Sequence, residues 1–169
     1  MNPQTQIALS LATVLGSGVI AAFVAHKFTE RRQEREFRRK KLEELFLAAH
    51  GYCTTFVSRN MLWPRVMNGE MKYDKVLDIN AADKHPTPGH YEIMQMLISI
   101  YFPHLLGRFQ TILKSREAVS DMQRNFKQAY EMNVPTRQFS QPFDKALLEF
   151  EALCNDLKKQ ICHLGQQRH

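Results

Sequence analysis

The sequence predicts an all-α protein: an N-terminal transmembrane helix continuing into a cytosolic antiparallel bundle of four to five helices. Three observations carry the prediction. Ile7 to Ala25 is a run of nineteen residues without a formal charge. From Leu42 onward, apolar residues recur at spacings of three and four, the period of a helix that buries one face. Nowhere do apolar and polar residues alternate convincingly over five positions, and no repeat of about 20 to 50 residues is visible.

The first element is the span. Counting His26, the segment from Ile7 has twenty residues, which at about 1.5 Å of rise each reaches about 30 Å, the hydrocarbon thickness of a bilayer. Met1 to Gln6 carries no charged side chain, whereas Lys27 to Lys41 holds eight Lys or Arg against three Glu. A cleaved signal peptide has its charges in the opposite order. The positive-inside rule therefore sets the N-terminus outside and everything from Lys27 onward in the cytosol, the layout of a single-pass bacterial inner-membrane protein. The expected divisions are a span with a short external N-terminus at 1–26, a basic juxtamembrane helix at 27–41 and a cytosolic bundle at 42–169. The formal net charge is +6, of which the basic run supplies +5. Charge this local fits anionic headgroups better than a nucleic acid, which is not expected as a partner.

The helical pattern runs on from Phe28 to Trp63 with only Gly51 interrupting it. Glu34 with Arg38, Glu36 with Lys40, and Lys40 with Glu44 are spaced for i,i+4 pairing on a charged rod. Leu42, Leu45, Phe46, Ala49, Cys53, Phe56 and Val57 then mark a core-facing stripe. Pro64 ends or bends this helix, and Asn68-Gly69 supplies a turn. A short helix fits near Tyr73 to Ile79, followed by a Pro-rich stretch, so that 70–89 is the expected variable or partner-facing loop. Thr87 as N-cap and Pro88 at the first position predict a helix start, with Ile93, Met96, Leu97, Ile100 and Tyr101 as its apolar stripe. Pro103 interrupts it. Leu105, Leu106, Phe109, Ile112 and Leu113 resume the period, and a more polar helix reaches about Met132 before Pro135. The last helix begins around Ser140, Pro142 and Asp144, carries Phe143, Leu147, Phe150, Cys154, Leu157, Ile161 and Leu164, and should stop at Gly165.

Three cysteines, Cys53, Cys154 and Cys162, with no CxxC spacing, fit a reduced cytosolic compartment. Cys154 and Cys162 lie eight apart on similar helix faces and read as two small core residues.

The span itself carries the functional pattern. Gln6, Ser10, Thr13 and Ser17 fall at spacings of four, three and four, lining one helix face as candidates for a pore. Ala8, Ala12 and Gly16, then Gly18 and Ala22, give small-xxx-small spacings that allow close helix packing. Both favour a homo-oligomer. Lys27, Arg31, Arg32, Arg35, Arg38, Arg39, Lys40 and Lys41 are the candidate lipid-headgroup contacts. No cofactor is expected. His85 and His90, with Glu92 two residues on, match neither HExxH nor a Cys/His zinc spacing, so no metal is expected. No GxSxG, no Gly-rich phosphate loop and no Arg followed after four to six residues by His is present; an enzyme is therefore not expected.

A short uncharged N-terminus, a span containing Thr13-Val14-Leu15-Gly16, and then RRQEREFRRKKLEELFLAAH from Arg31 to His50 resemble small bacterial single-span proteins with cytosolic helical domains, some of them associated with phage defence. In architecture the chain also looks like the membrane accessory proteins of type VI-B CRISPR systems. That resemblance implies assembly into a ring-shaped pore and antiviral defence through membrane perturbation. The expectation is a self-assembling membrane protein that perturbs or permeabilises the bilayer; the alternative is a tethered adaptor whose bundle recruits a cytosolic protein partner.

Overall fold

A computed structural model describes the backbone at residues 3–82 and 89–167, and side chains at 25–82 and 89–167. The fold is all-α, with no strand among the described residues. Its helices are α1 (Pro3–Asn60), α2 (Trp63–Met67), α3 (Tyr73–Ala82), α4 (His90–Tyr101), α5 (Leu106–Glu131) and α6 (Ser140–Gln166), with 3-10 turns at Pro103–Leu105 and Arg137–Phe139. Packing divides the chain into two units, Met1–Lys40 and Lys41–His169.

Within the second unit, Leu42, Leu45, Ala48, Ala49 and Cys53 of α1 form one apolar cluster with Leu97 and Ile98 of α4, Phe109 and Ile112 of α5, and Phe150, Leu157 and Ile161 of α6. A second cluster gathers Trp63, Val66 and Met67 of α2, Val76 of α3, Val119 and Phe126 of α5, and Phe143 and Leu147 of α6. Each fully buried Val, Leu, Ile, Phe or Met among them stabilises the unit by about 1.5 to 3 kcal/mol before entropy is counted. Cross-contacts fix the directions. Arg108 near the start of α5 pairs with Asp156 late in α6, while Phe126 near the end of α5 clusters with Phe143 near the start of α6, so α5 and α6 are antiparallel. Tyr52 meets Tyr91, and Lys41 lies over the Tyr101 ring, so α4 runs antiparallel to α1.

The helix ends follow local chemistry. Gly69, at φ +78°, closes α2: its N–H donates to the Val66 carbonyl and the Glu70 N–H donates to Arg65, a Schellman cap that requires a left-handed residue. Asn133, at φ +55°, does the same for α5 through its own N–H to Tyr130 and that of Val134 to Ala129, a position Asn tolerates better than most side chains. Pro64 opens α2 rather than closing α1, because α1 already ends at Asn60 and proline suits a first helical turn.

Several expectations are corrected. Helix α4 buries Met94, Leu97 and Ile98, and leaves Met96, Ile100 and Tyr101 exposed. Helix α6 passes through Gly165 to Gln166 instead of stopping there. Glu36 pairs with Arg32, and Glu44 with Lys41, instead of with Lys40. Helix α4 starts at His90 after Gly89 at φ +96°; the expected Thr87–Pro88 start lies outside the described residues. Cys53 and Cys154 are joined in a disulfide between α1 and α6, and Cys162 is exposed rather than in the core. Of the two expected core residues, Cys154 is buried in the core and Cys162 is not; α1 and α6 bring Cα53 and Cα154 to 6.2 Å, within disulfide range.

Candidate functional site

The residues with the most specific sequence pattern, Gln6, Ser10, Thr13 and Ser17, together with Ala8, Ala12, Gly16, Gly18 and Ala22, lie outside the residues whose side chains the structure describes. Their backbone belongs to α1. Among the described residues no helix is long and apolar enough to cross a membrane.

The basic segment is described from Ala25 onward, and every side chain from there to Lys40 is exposed. On a helix of 3.6 residues per turn, Lys27, Arg31, Arg35 and Arg38 share one face. Glu30 contacts His26 at 3.2 Å and Lys27 at 3.5 Å, and Arg32 contacts Glu36 at 3.0 Å. Such solvated pairs each contribute at most about 1 kcal/mol and are screened by salt, so the guanidinium groups are held loosely enough to exchange one anionic partner for another. Lys41 differs. It is half-buried, donates to Glu44 at 2.7 Å and lies 5.7 Å from the Tyr101 ring centroid. The Glu44 hydrogen bond holds its ammonium above the ordinary lysine value.

Inside the second unit one polar cluster is built on Tyr52. Arg116 of α5 donates to its hydroxyl at 3.3 Å and also sits 5.9 Å from the Tyr91 ring. Burial pushes the Tyr52 phenol above its usual value, while the Arg116 charge opposes that shift. The cluster joins α1, α4 and α5.

The histidine candidates separate. His85 lies outside the described residues. His90 packs its ring against Gly51 of α1, where a Cβ would overlap it; only glycine leaves that space in the middle of the helix. Among the described residues, no three His, Cys, Asp or Glu side chains converge as a metal site.

No family model, curated protein or solved structure matches this chain. Function must therefore be argued from the chain's own residues. What they offer is a basic helical segment attached to a helical unit with apolar side chains left on its surface: Met96 is 43% exposed and Ile100 63%. On α4 these two side chains stand exposed among Glu92, Gln95 and Ser99.

Proposed function

We propose that this is a self-assembling single-pass inner-membrane protein that perturbs or permeabilises the bilayer, plausible as an antiphage defence effector in view of its resemblance to defence-associated single-span proteins. The observation that carries the reading is the extent of α1. One helix, Pro3–Asn60, includes the uncharged run, the basic segment and the first stripe of the bundle core. In this reading Ile7–Ala25 crosses the membrane, the eight Lys and Arg from Lys27 to Lys41 meet anionic headgroups on the cytosolic side, and Lys41–His169 is a cytosolic bundle. Assembly draws on the small residues of the span and on the outward apolar face of α4.

The second reading, a tethered adaptor, is favoured by that same α4 face, which suits a protein partner as well as another copy of this chain. Replacing Ser10, Thr13 and Ser17 together by Leu separates the two. A pore loses its depolarising effect in dye-loaded vesicles or cells, since apolar side chains remove the polar lumen, while an adaptor keeps its activity. Leakage that survives the triple change refutes the lumen, and a strictly monomeric mass for the detergent-extracted protein refutes self-assembly.

A further inference from the structure

Two open cavities adjoin at the end of the bundle where Lys41 packs on Tyr101. The first, of about 340 Å³, is lined by His104, Leu105, Lys159, Gln160, His163 and Leu164. The second, of about 550 Å³, shares Lys159 and His163 with it and adds Phe46, Asn155, Lys158, Cys162 and Gln166. Neither lining contains an Asp or Glu. The nearest acid along α6, Asp156, is engaged by Arg108.

Basic residues near a helix C-terminus have an ordinary explanation, because they complement the helix dipole there. That explanation covers His163, which lies in the last turn of α6; Lys158 and Lys159 lie about two turns before its end, beyond the reach of the dipole. It does not cover His104. This side chain comes from a different element, the 3-10 turn Pro103–Leu105, and Pro103 places the turn so that Leu105 is buried in the core while His104 stays exposed. An imidazole from one element and an ammonium and an imidazole from another thus face a shared concavity free of carboxylates. Lysine contributes a point charge suited to phosphate oxygens, and each imidazole presents at least one N–H donor in either protonation state. Gln160 and Asn155 add uncharged amide donors along the walls.

We propose that His104, Lys159 and His163 form a binding site for a phosphate group, carried either by a phospholipid headgroup or by a soluble phosphate. Leu105 and Leu164 in the same lining give such a ligand an apolar flank. The site rests on the geometry of the bundle alone, so it stands or falls separately from the membrane-spanning reading.

Cys162 is the free cysteine, exposed and part of the second cavity's wall, and it serves as a built-in reporter. The full chain in neutral detergent is alkylated with iodoacetamide, and the rate at Cys162 is followed by intact mass while inorganic phosphate is titrated at constant ionic strength against chloride. The same rate is measured after reconstitution into phosphatidylcholine bilayers with and without phosphatidylglycerol. Saturable slowing is expected, reaching about tenfold when ligand is at ten times its dissociation constant, if occupied sites are fully protected. Slowing by phosphate in detergent assigns a soluble ligand; slowing only in phosphatidylglycerol bilayers assigns a headgroup. In either case Lys159→Gln with His104→Gln should abolish the effect, with helical circular dichroism unchanged because both side chains are exposed. The proposal is overturned if neither ligand slows alkylation, or if the slowing persists in the double variant.

Discussion

Breaking the Cys53–Cys154 cross-link should cost the second unit a large part of its stability. The bond closes a loop of 101 residues between α1 and α6, and the chain-entropy estimate for a loop of about 100 residues is about 4.7 kcal/mol. Measured values more commonly fall at about 2 to 4 kcal/mol, because denatured chains are already partly compact. Unfolding entropy scales at about 2.1 cal/mol/K per residue, so a unit of about 130 residues should lose about 7 to 15 °C in melting temperature. Both sulfurs are buried, with Cys154 only 1% exposed; reduction therefore requires opening and is best done in denaturant before refolding. Comparing oxidised and reduced wild-type protein by circular dichroism keeps the packed side chains the same, whereas Cys53→Ala with Cys154→Ala adds a small cavity penalty. Two outcomes refute the reasoning. One is alkylation of all three cysteines after non-reducing denaturation, which means that no bond forms. The other is a bond present by mass whose reduction shifts melting by less than about 2 °C, which means that the cross-link does not constrain the unfolded chain as a long loop should.

Gly51→Ala should destabilise the bundle by about 1 to 2 kcal/mol, because displacing the His90 ring outweighs the gain of about 0.5 to 1 kcal/mol from helix propensity. In a His90→Ala background the same change should become neutral or stabilising, and urea titrations of the four proteins would show the coupling; a cycle with no interaction energy contradicts the contact. Alkaline pH should also destabilise the unit. Tyr52 and Lys41 are both raised above their ordinary values, so both bind protons more tightly in the fold. Their contributions are complete below the unfolded values, about 10 for tyrosine, and are lost as pH rises through the higher folded ones. Melting temperature should fall above about pH 10, and Tyr52→Phe should flatten that fall; an unchanged slope would remove Tyr52 as a cause.

Where one helix face is strongly apolar and the other strongly polar, the sequence was sufficient to read the burial. Phe143, Leu147, Phe150, Cys154, Leu157 and Ile161 of α6 are all buried as their spacing predicts. Helix α4 defeats the same reasoning because HYEIMQMLISIY offers two apolar stripes. Ile93, Met96, Leu97, Ile100 and Tyr101 form one, Met94, Leu97 and Ile98 another that shares Leu97, and periodicity alone cannot choose between them. The choice is made by tertiary packing: Met94, Leu97 and Ile98 fit against α1 and α6, while Tyr101 is turned toward Lys41. The disulfide was missed for a related reason. Spacing along one helix invites comparison of Cys154 with Cys162, whereas the bond depends on the approach of a helix a hundred residues away. The basic cavity left still less trace, since Lys158, Lys159 and His163 look like an ordinary solvated helix end until the turn at Pro103–Leu105 brings His104 beside them.

The disulfide bears directly on orientation. In the proposed reading the eight basic residues after the uncharged run set the bundle in the cytosol, yet cytosolic thiols in most organisms are held reduced, and disulfides found there are generally transient or redox-sensing. If the basic run governs insertion, Cys53–Cys154 is a buried bond that forms and breaks with the redox state of the cell, and α1 is held to α6 by their shared apolar cluster alone when it opens. If the bond is a permanent staple, the bundle belongs on the oxidising side and the basic run has been overridden, as long translocated domains can do. Cys162 decides between these because it is exposed in either case. In intact cells, a membrane-impermeant maleimide should leave Cys162 unlabelled and should label it only after the membrane is permeabilised. Labelling of intact cells would reverse the proposed topology, assign Cys53–Cys154 a constant structural role, and move the His104–Lys159–His163 cavity to the outer face of the membrane.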